Sequence, residues 1–253
     1  MQLLFDSLNI NDNVNYFLTL LNHEGSPASE LDVQKIARSN ESTLLRKGFR
    51  TKIIQASVTV IDTTLEALDS RLDTFKKTIE GQDKNLDVDF ASGTRRYICT
   101  GFISSVDRKP RQAVINLRFE CYKATGEDTT ATTTTKSGKT TTPYTDTLAV
   151  GGSAPAQPII TITLNSFTGT SLRWMKFKNV DTGEAVLITA SDWAGSDSII
   201  INCETMIVTK NGVAIAYNGF VPTFPVGTVN WEYSDSFTAR NVNIVFAAKH
   251  RWL

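Results

Sequence analysis

The residue types that carry most enzymatic chemistry are scarce in this sequence. It contains two histidines, His23 in a polar N-terminal stretch and His250 near the chain end. A Ser/His/Asp or Cys/His device would have to use one of them, and neither lies near a strand-to-helix elbow that could display a nucleophile. No HExxH, Walker A, GxGxxG or paired CxxC motif occurs. The sequence therefore predicts a protein that is not an enzyme and has no cofactor.

Acidic and amide residues offer two further candidates for chemistry. Asp87 and Asp89 could act as paired carboxylates, but residues at alternate positions are also what a strand turns toward solvent, and we favour that interpretation. A calcium site could use four oxygen-bearing residues that lack the spacing of a calcium-binding loop, so we expect no metal. These four are Asp192, Asp197, Asn202 and Glu204.

Cysteine and tryptophan positions suggest packing first and binding second. The three cysteines, Cys99, Cys121 and Cys203, are odd in number and fall in strand-like segments, so we expect reduced core residues. Exposed tryptophans on a β-sandwich can stack on sugar rings, although core packing explains most of them. Trp193 lies in a loop-like stretch and is the residue most expected to be exposed. It is the candidate glycan contact if the protein is a carbohydrate-binding module.

The overall composition excludes several classes of protein. Twenty-six basic and 26 acidic side chains among 253 residues give a formal net charge of zero, which removes the electrostatic attraction on which general nucleic-acid binders rely. The N-terminal segment lacks a cationic region, and no stretch approaches the ~20 apolar residues of a membrane helix. We expect a chain that starts at or near Met1 in a cytosol, without membrane insertion.

Residues 1–123 are expected to form a sheet covered by one helix. Leucines and other apolar residues at helical spacing predict an amphipathic helix over residues 62–81, with a capping box at Thr63 and Glu66 and a left-handed C-cap at Gly81. Alternating apolar residues predict half-buried strands around it, at residues 54–60, 86–90, 95–103 and 112–122. Residues 22–50 are polar apart from a few apolar positions, so we expect this stretch to be mobile or ordered by a partner. Its strongest apolar cluster is Leu44, Leu45 and Phe49.

The remainder divides into a threonine-rich region and a second β-domain. Nine of the fourteen residues from Thr129 to Thr142 are threonine; without alternating apolar partners, residues 124–157 are predicted to be a linker or an exposed arm, with an ordered β-hairpin arm as the alternative. Short strands separated by turn signals, among them Asn211-Gly212, predict an antiparallel β-sandwich over residues 158–253.

The order of several weak motifs resembles the distal tail (Dit) proteins of long-tailed bacteriophages over nearly the whole chain. In the N-terminal part these are the strand 50–54, the helix 64–81, Asp89-Phe90, Arg95-Arg96-Tyr97, Gly101-Phe102 and Phe119-Glu120-Cys121. In the C-terminal part they are residues 157–162, 178–183, 208–212 and 224–230 and the final Arg251-Trp252-Leu253. The threonine-rich insert is longer than a simple domain link and departs from the family pattern.

The resemblance implies a structural virion protein of the phage tail tip, assembled in the host cytoplasm. It implies a hexameric ring of N-terminal domains between the tail tube protein and the tail tip protein, with DNA passing through the lumen unbound. A galectin-like C-terminal sandwich would face outward and dock a receptor-binding protein or fibre. Residues 22–49 would become a belt ordered by the neighbouring subunit, with Leu44, Leu45 and Phe49 as candidate interface residues.

Overall fold

The computed structural model describes residues 2–22, 29–35, 42–49, 51–169 and 172–253, and only the backbone of 29–35 and 42–49. Two compact units make up the chain, one comprising Met1–Thr129 with Leu253 and the other Thr130–Trp252. The sequence predicts domain boundaries at 123/124 and 157/158, whereas the structure divides the chain at 129/130. The predicted linker, residues 124–157, contains strands and is shared between the two units.

The N-terminal unit is built around one antiparallel sheet. The strand order is β2-β1-β7-β8-β9-β6-β3, and β10 pairs with β8 on the far side from β7; β4 and β5 form a separate two-stranded sheet. The elements are β1 (Leu3–Phe5), β2 (Leu8–Asn9), β3 (Tyr16–Asn22), β4 (Ser29–Lys35), β5 (Ser42–Phe49), β6 (Lys52–Ile61), α1 (Leu65–Ile79), β7 (Lys84–Phe90), β8 (Gly93–Lys109), β9 (Gln112–Cys121) and β10 (Gly126–Asp128).

Helix α1 covers one face of this sheet, as the apolar spacing predicts. Of the five apolar residues at helical spacing, Leu65 at the start of the helix is half exposed, and the other four are buried: Leu68, Leu72, Phe75 and Ile79. The N-cap is Thr64, whose hydroxyl accepts the N–H of Ala67 at 3.2 Å. The cap therefore lies one residue after the predicted Thr63, and because residue 67 is alanine the predicted capping box with Glu66 does not form. The C-cap is Glu80, with φ −75° and ψ 55°, and no left-handed cap forms at Gly81. Capping depends on local backbone angles, which apolar periodicity does not determine.

Two of the three cysteines form a disulfide, contrary to the expectation that all are reduced. Cys99 of β8 lies directly opposite Cys121 of β9, with the Cα atoms 4.0 Å apart. Alternation predicts which face a residue occupies but not which residue lies opposite it on the next strand. Cys203 is free and buried, and this burial, together with the Glu184 carboxylate, raises its pKa to about 12.

The C-terminal unit is a sandwich of two antiparallel sheets, as predicted. One sheet has the order β11-β21-β13-β16-β17-β18 and the other β12-β20-β14-β15-β19. The strands of the sandwich are β11 (Thr132–Lys139), β12 (Tyr144–Val150), β13 (Ile159–Thr168), β14 (Arg173–Asn179), β15 (Ala185–Ala190), β16 (Ser198–Asn202), β17 (Ile207–Lys210), β18 (Val213–Ala214), β19 (Asn218–Gly219), β20 (Gly227–Asp235) and β21 (Ala239–Ala248). A last short strand, β22 (Arg251–Trp252), belongs to neither of these two sheets.

An aromatic cluster fills the space between the two sheets. The ring of Trp231 lies 5.6 Å from that of Phe177 and 5.0 Å from that of Phe246, and all three residues are buried. At the β17–β18 hairpin, Asn211 and Gly212 have positive φ angles of 51° and 82°, as the predicted Asn-Gly turn requires. The mainly β fold, with one helix-covered sheet and one sandwich, is therefore confirmed.

The threonine-rich segment contributes edge strands to the sandwich, which differs from the expectation of a linker. Strand β11 pairs with β21 and places Thr134 opposite the buried Phe246, while β12 pairs with β20. An ion pair of 2.8 Å between Lys136 and Asp146 connects β11 to β12, which belong to different sheets. Threonine suits a strand, and the apolar partners that the segment itself lacks are supplied by distant residues of β21.

Candidate functional site

The N-terminal sheet contains four long strands that form one continuous antiparallel surface. Strand β6 pairs along its whole length with β9, from Lys52 opposite Cys121 to Ile61 opposite Gln112. The other neighbour of β9 is β8, through residues Cys99–Lys109, and the other neighbour of β6 is β3. The order β8-β9-β6-β3 is therefore a four-stranded block within the larger sheet.

One border of this block is the far half of β8. Strand β7 pairs with β8 only as far as Cys99, so residues Thr100–Lys109 have β9 on one side and no strand on the other within the described chain. At the start of this border, the backbone N–H of Gly101 donates a hydrogen bond to the carbonyl oxygen of Gly81, at 3.3 Å. An unpaired strand border presents backbone donors and acceptors to any strand that approaches it.

The opposite border is the last part of β3. No strand pairs with β3 on the side away from β6, as far as the described residues extend. The side chain of Asn11 covers the first part, since its oxygen accepts the N–H of Leu18 at 3.1 Å. Residues Thr19–Asn22 lie beyond this contact, and Leu20 is 59% exposed. The block thus has open borders on both sides.

The two faces of the block differ in polarity. One face packs on α1 through buried apolar residues of β6 and β9. The other face is largely polar, and its ionisable residues on β8 and β9 are balanced in charge: Arg118 pairs with Glu120 at 2.6 Å, and Asp107 and Lys109 add one charge of each sign. This face can border a charged polymer without attracting it strongly.

A shallow groove follows the open border of β8. It has a volume of about 610 Å³ and lies between the loop after α1 and the start of the far half of β8. Its lining residues are Thr51, Gln82, Asp83, Thr100, Phe102, Glu120 and Tyr122. Phe102 and Tyr122 are exposed there, so the β8 border carries apolar surface as well as unpaired backbone.

The predicted interface residues lie on β5, which pairs only with β4 in the described part of the chain. Leu44 lies opposite Val33, and Phe49 lies opposite Ser29; Leu45 neighbours Leu44. A lone two-stranded hairpin is marginally stable in water. The role of these three residues in an interface stays a prediction.

Trp193 is held in place by its own unit. The indole N–H donates to the carbonyl oxygen of Arg173 at 3.1 Å, and the ring meets Phe237 edge to face with the ring centres 5.6 Å apart. The ammonium group of Lys210 lies over the ring, 5.2 Å from its centre. Trp193 is partly buried, whereas Trp174 is the more exposed tryptophan. A glycan contact at Trp193 stays a prediction.

The acidic residues considered for chemistry have structural partners. Asp87 binds the guanidinium of Arg96 through both oxygens, at 2.7 and 2.8 Å, and Asp89 accepts the hydroxyl of Thr94 at 2.7 Å. Of the four possible calcium ligands, Asp192 and Asp197 both pair with Lys210, and Asn202 accepts backbone N–H groups of its own turn.

Other features of the described residues bear on the remaining expectations. No group of three or more potential metal ligands comes together among them. None of their helices is long and apolar enough to cross a membrane. His23 lies outside the described residues. The open borders of β8 and β3 are the candidate functional site of the described residues. The sequence does not predict these borders, because a border depends on where the neighbouring strands end.

Comparison with solved structures identifies the fold. The chain matches the crystal structure of the phage SPP1 Dit protein (gp 19.1), described as a paradigm of the hub adsorption apparatus in phages that infect Gram-positive bacteria. The TM-score is 0.71 and the sequence identity is 14%, with 100% of this chain and 99% of that chain covered. At this identity the match shows a shared fold over the full length.

Two further matches are chains of the phage p2 baseplate in its activated conformation. The structure with strontium gives a TM-score of 0.46 and the one with calcium 0.44, each at 9% identity and covering 98% of this chain and 97% of that chain. These scores carry no argument about this chain. No protein-family model and no curated protein matches the sequence.

Proposed function

We propose that this protein is a structural subunit of a bacteriophage tail tip, in which copies of the N-terminal unit form a ring between the tail tube and the tip complex. Two findings support the proposal: the fold shared with the SPP1 hub protein and the pair of open borders on one sheet. The open borders carry the proposal, because they give one molecule two different surfaces that can join.

The strand directions make these borders complementary. Adjacent strands of the block β8-β9-β6-β3 are antiparallel, so β8 and β3 run in opposite directions. When copies are related by rotation about one axis, the β8 border of one copy meets the β3 border of the next in antiparallel orientation. Such a head-to-tail contact is heterologous and closes into a ring when the rotation closes. Six copies are the number that the family resemblance implies.

The polar face of the block would line the lumen of this ring. Its balanced charges are Arg118 with Glu120 and Asp107 with Lys109. A wall without excess positive charge lacks the counterion-release term that holds DNA. DNA would therefore pass through without being bound, while α1 covers the outer side of the sheet.

The remaining surfaces would serve the other contacts in the tail. The β4–β5 hairpin, with Leu44, Leu45 and Phe49 on β5, would lie against a neighbouring subunit and gain there the support that an isolated hairpin lacks. The two ends of the ring would contact the tail tube protein and the tail tip protein. The C-terminal sandwich would offer the docking site for a receptor-binding protein or fibre.

Charged substitutions on the border strands test the ring. Leu20→Glu on β3 and Val106→Glu on β8 change side chains that are already exposed, and carboxylates on border strands oppose pairing. We expect each to weaken association by about tenfold, or about 1.4 kcal/mol per contact, as measured by sedimentation of the full chain over a range of concentrations.

Val213→Glu is the matched control, because Val213 is an exposed valine of the C-terminal unit and belongs to neither border strand. It should leave association unchanged. A wild-type protein that stays monomeric at high concentration, together with isolated tails that show no ring of this subunit, would contradict the proposal.

A further inference from the structure

The backbone groups along the open border of β8 point outward at every second residue. The N–H of Gly101 bonds to the loop after α1, so it points away from β9. In an antiparallel ladder the N–H and C=O groups of one residue point to the same side, and those of the next residue point to the other side. Three further residues lie, like Gly101, opposite every second residue of β9: Ile103, Val106 and Arg108, with a one-residue bulge after Ile103. These three therefore direct their N–H and C=O groups toward the open side.

At the end of β3, Leu21 directs its backbone groups outward. The N–H of Leu18 donates to the side chain of Asn11, so it points away from β6. The residues of β6 that lie opposite Leu18 and Leu21 are two positions apart, and Leu21 therefore points the same way. Its N–H and C=O groups have no hydrogen-bond partner in the described part of the chain. They can bond to a strand of another copy.

The side chains of Leu21 and Val106 lie on the same face of the sheet. Residues directly opposite each other on neighbouring strands share a face. Leu21 lies opposite Ala56, which is buried. Val106 lies opposite Ile115, which is also buried. Both side chains are therefore on the face that α1 covers, and yet Val106 is 39% exposed. The apolar face is thus left uncovered at the β8 border.

The surroundings of the three outward residues of β8 differ, and they favour Val106 as the partner of Leu21. The guanidinium of Arg108 is paired with Asp69 of α1, at 2.5 Å. Ile103 already packs on the core of its own unit. Val106 has an exposed apolar side chain that the side chain of Leu21 would cover, and such cross-strand contacts stabilise a sheet.

We propose that Leu21 of one copy pairs with Val106 of the next copy, with each residue donating its N–H to the carbonyl oxygen of the other. This pairing rests on the proposed ring and adds the register of the contact between copies. In this register Leu20 lies opposite Asp107 on the polar face of the block. A shift by one residue would set the polar face of one copy against the covered face of the next, since side chains alternate between faces.

Oxidative cross-linking of the full chain tests this register. The test variant carries Leu20→Cys and Asp107→Cys, both at exposed positions. In the proposed register these residues form a non-hydrogen-bonded pair, whose Cα atoms lie about 4.5 Å apart, a separation that a disulfide can bridge. Cys99 and Cys121 are such a pair within the protein itself, with Cα atoms 4.0 Å apart. After mild oxidation, we expect a ladder of covalent multimers on a non-reducing gel.

The matched controls combine Leu20→Cys with Ser105→Cys or with Lys109→Cys, which are exposed neighbours of Asp107 on the same face. Their diagonal separation of about 7–8 Å is too long for a disulfide, so we expect about tenfold less cross-linking. Leu20→Cys protein mixed with Asp107→Cys protein should give covalent dimers and nothing longer, because each copy then carries half of the contact. Wild-type protein should give no multimers, since Cys203 is buried.

Stronger cross-linking in either control pair overturns the register and leaves the proposed ring standing, as does association of wild-type protein in sedimentation without cross-linking of any pair. Dimers that Leu20→Cys or Asp107→Cys protein forms alone, as extensively as the mixture does, overturn the head-to-tail pairing. A wild-type protein that stays monomeric contradicts the ring and this pairing together. Thermal unfolding shows whether each variant is folded.

Discussion

At the scale of single residues, the ionisable groups of this protein hold strands together. Asp87 joins β7 to β8 through Arg96, and Asp146 joins the two sheets of the sandwich through Lys136. Hydrogen bonds from Lys136 and then Tyr144 lower the pKa of Asp146 from 3.8 to about 2. A carboxylate with such partners stabilises the fold only while it is ionised.

The contribution of Asp146 should depend on pH in a defined direction. Because its pKa is lower in the folded state, its stabilisation is present above pH 3.8 and is lost as the pH falls from there to about 2. The side chain is about a quarter exposed, so solvent screening limits the effect to about 1 kcal/mol. Denaturant unfolding followed by tryptophan fluorescence measures it, since all four tryptophans lie in the C-terminal unit.

Asp146→Asn supplies the comparison for this measurement. The variant should be less stable than the wild type at pH 6, and the difference between them should shrink by pH 2. A difference that is constant between these pH values would show that the ionised carboxylate of Asp146 does not contribute.

The contacts between residues that are distant in sequence were the part of the structure that the sequence predicted least well. The apolar alternation of β9 places Cys121 on the buried face, and this face is correct. The partner of Cys121 depends on the register between β8 and β9, which has a bulge between Ile103 and Ser105. The same limit applies to Trp193: its environment is set by Arg173, Phe237 and Lys210, which are distant in sequence.

At the scale of elements, the strongly periodic segments were predictable and the borders were not. Helix α1 and its buried face follow from local spacing. The predicted strand 95–103 continues as β8 to Lys109, beyond the end of β7, and this difference in length creates the open border. The sequence did not predict β11, because the apolar residues on which this strand packs lie in β21, more than 100 residues later in the chain.

Strand β8 can approach the end of α1 closely because Gly101 has no side chain. A Cβ atom there would collide with the carbonyl oxygen of Ile79 and the ring of Phe5. Gly101→Ala should therefore lower the free energy of unfolding of the N-terminal unit by about 1–3 kcal/mol, as measured by denaturant titration with circular dichroism. Gly195→Ala, where the nearest atom lies 3.9 Å from the added Cβ, should change stability little; equal effects of both substitutions would refute the close-packing explanation.

At the scale of the whole molecule, the order of weak motifs predicted more than any single motif. The helix-covered sheet followed by a sandwich is the fold of the SPP1 hub protein over the full length of the chain. The N-terminal sheet has two borders suited to association between copies, and such association requires no catalytic group.

Electron cryomicroscopy of the assembled full-length protein, at a resolution that separates strands, tests the central claim most directly. We expect a closed ring in which residues Thr100–Lys109 of one copy pair antiparallel with the end of β3 of the next, with the polar face toward the lumen. A ring joined through other surfaces, with both borders still open, would contradict the account.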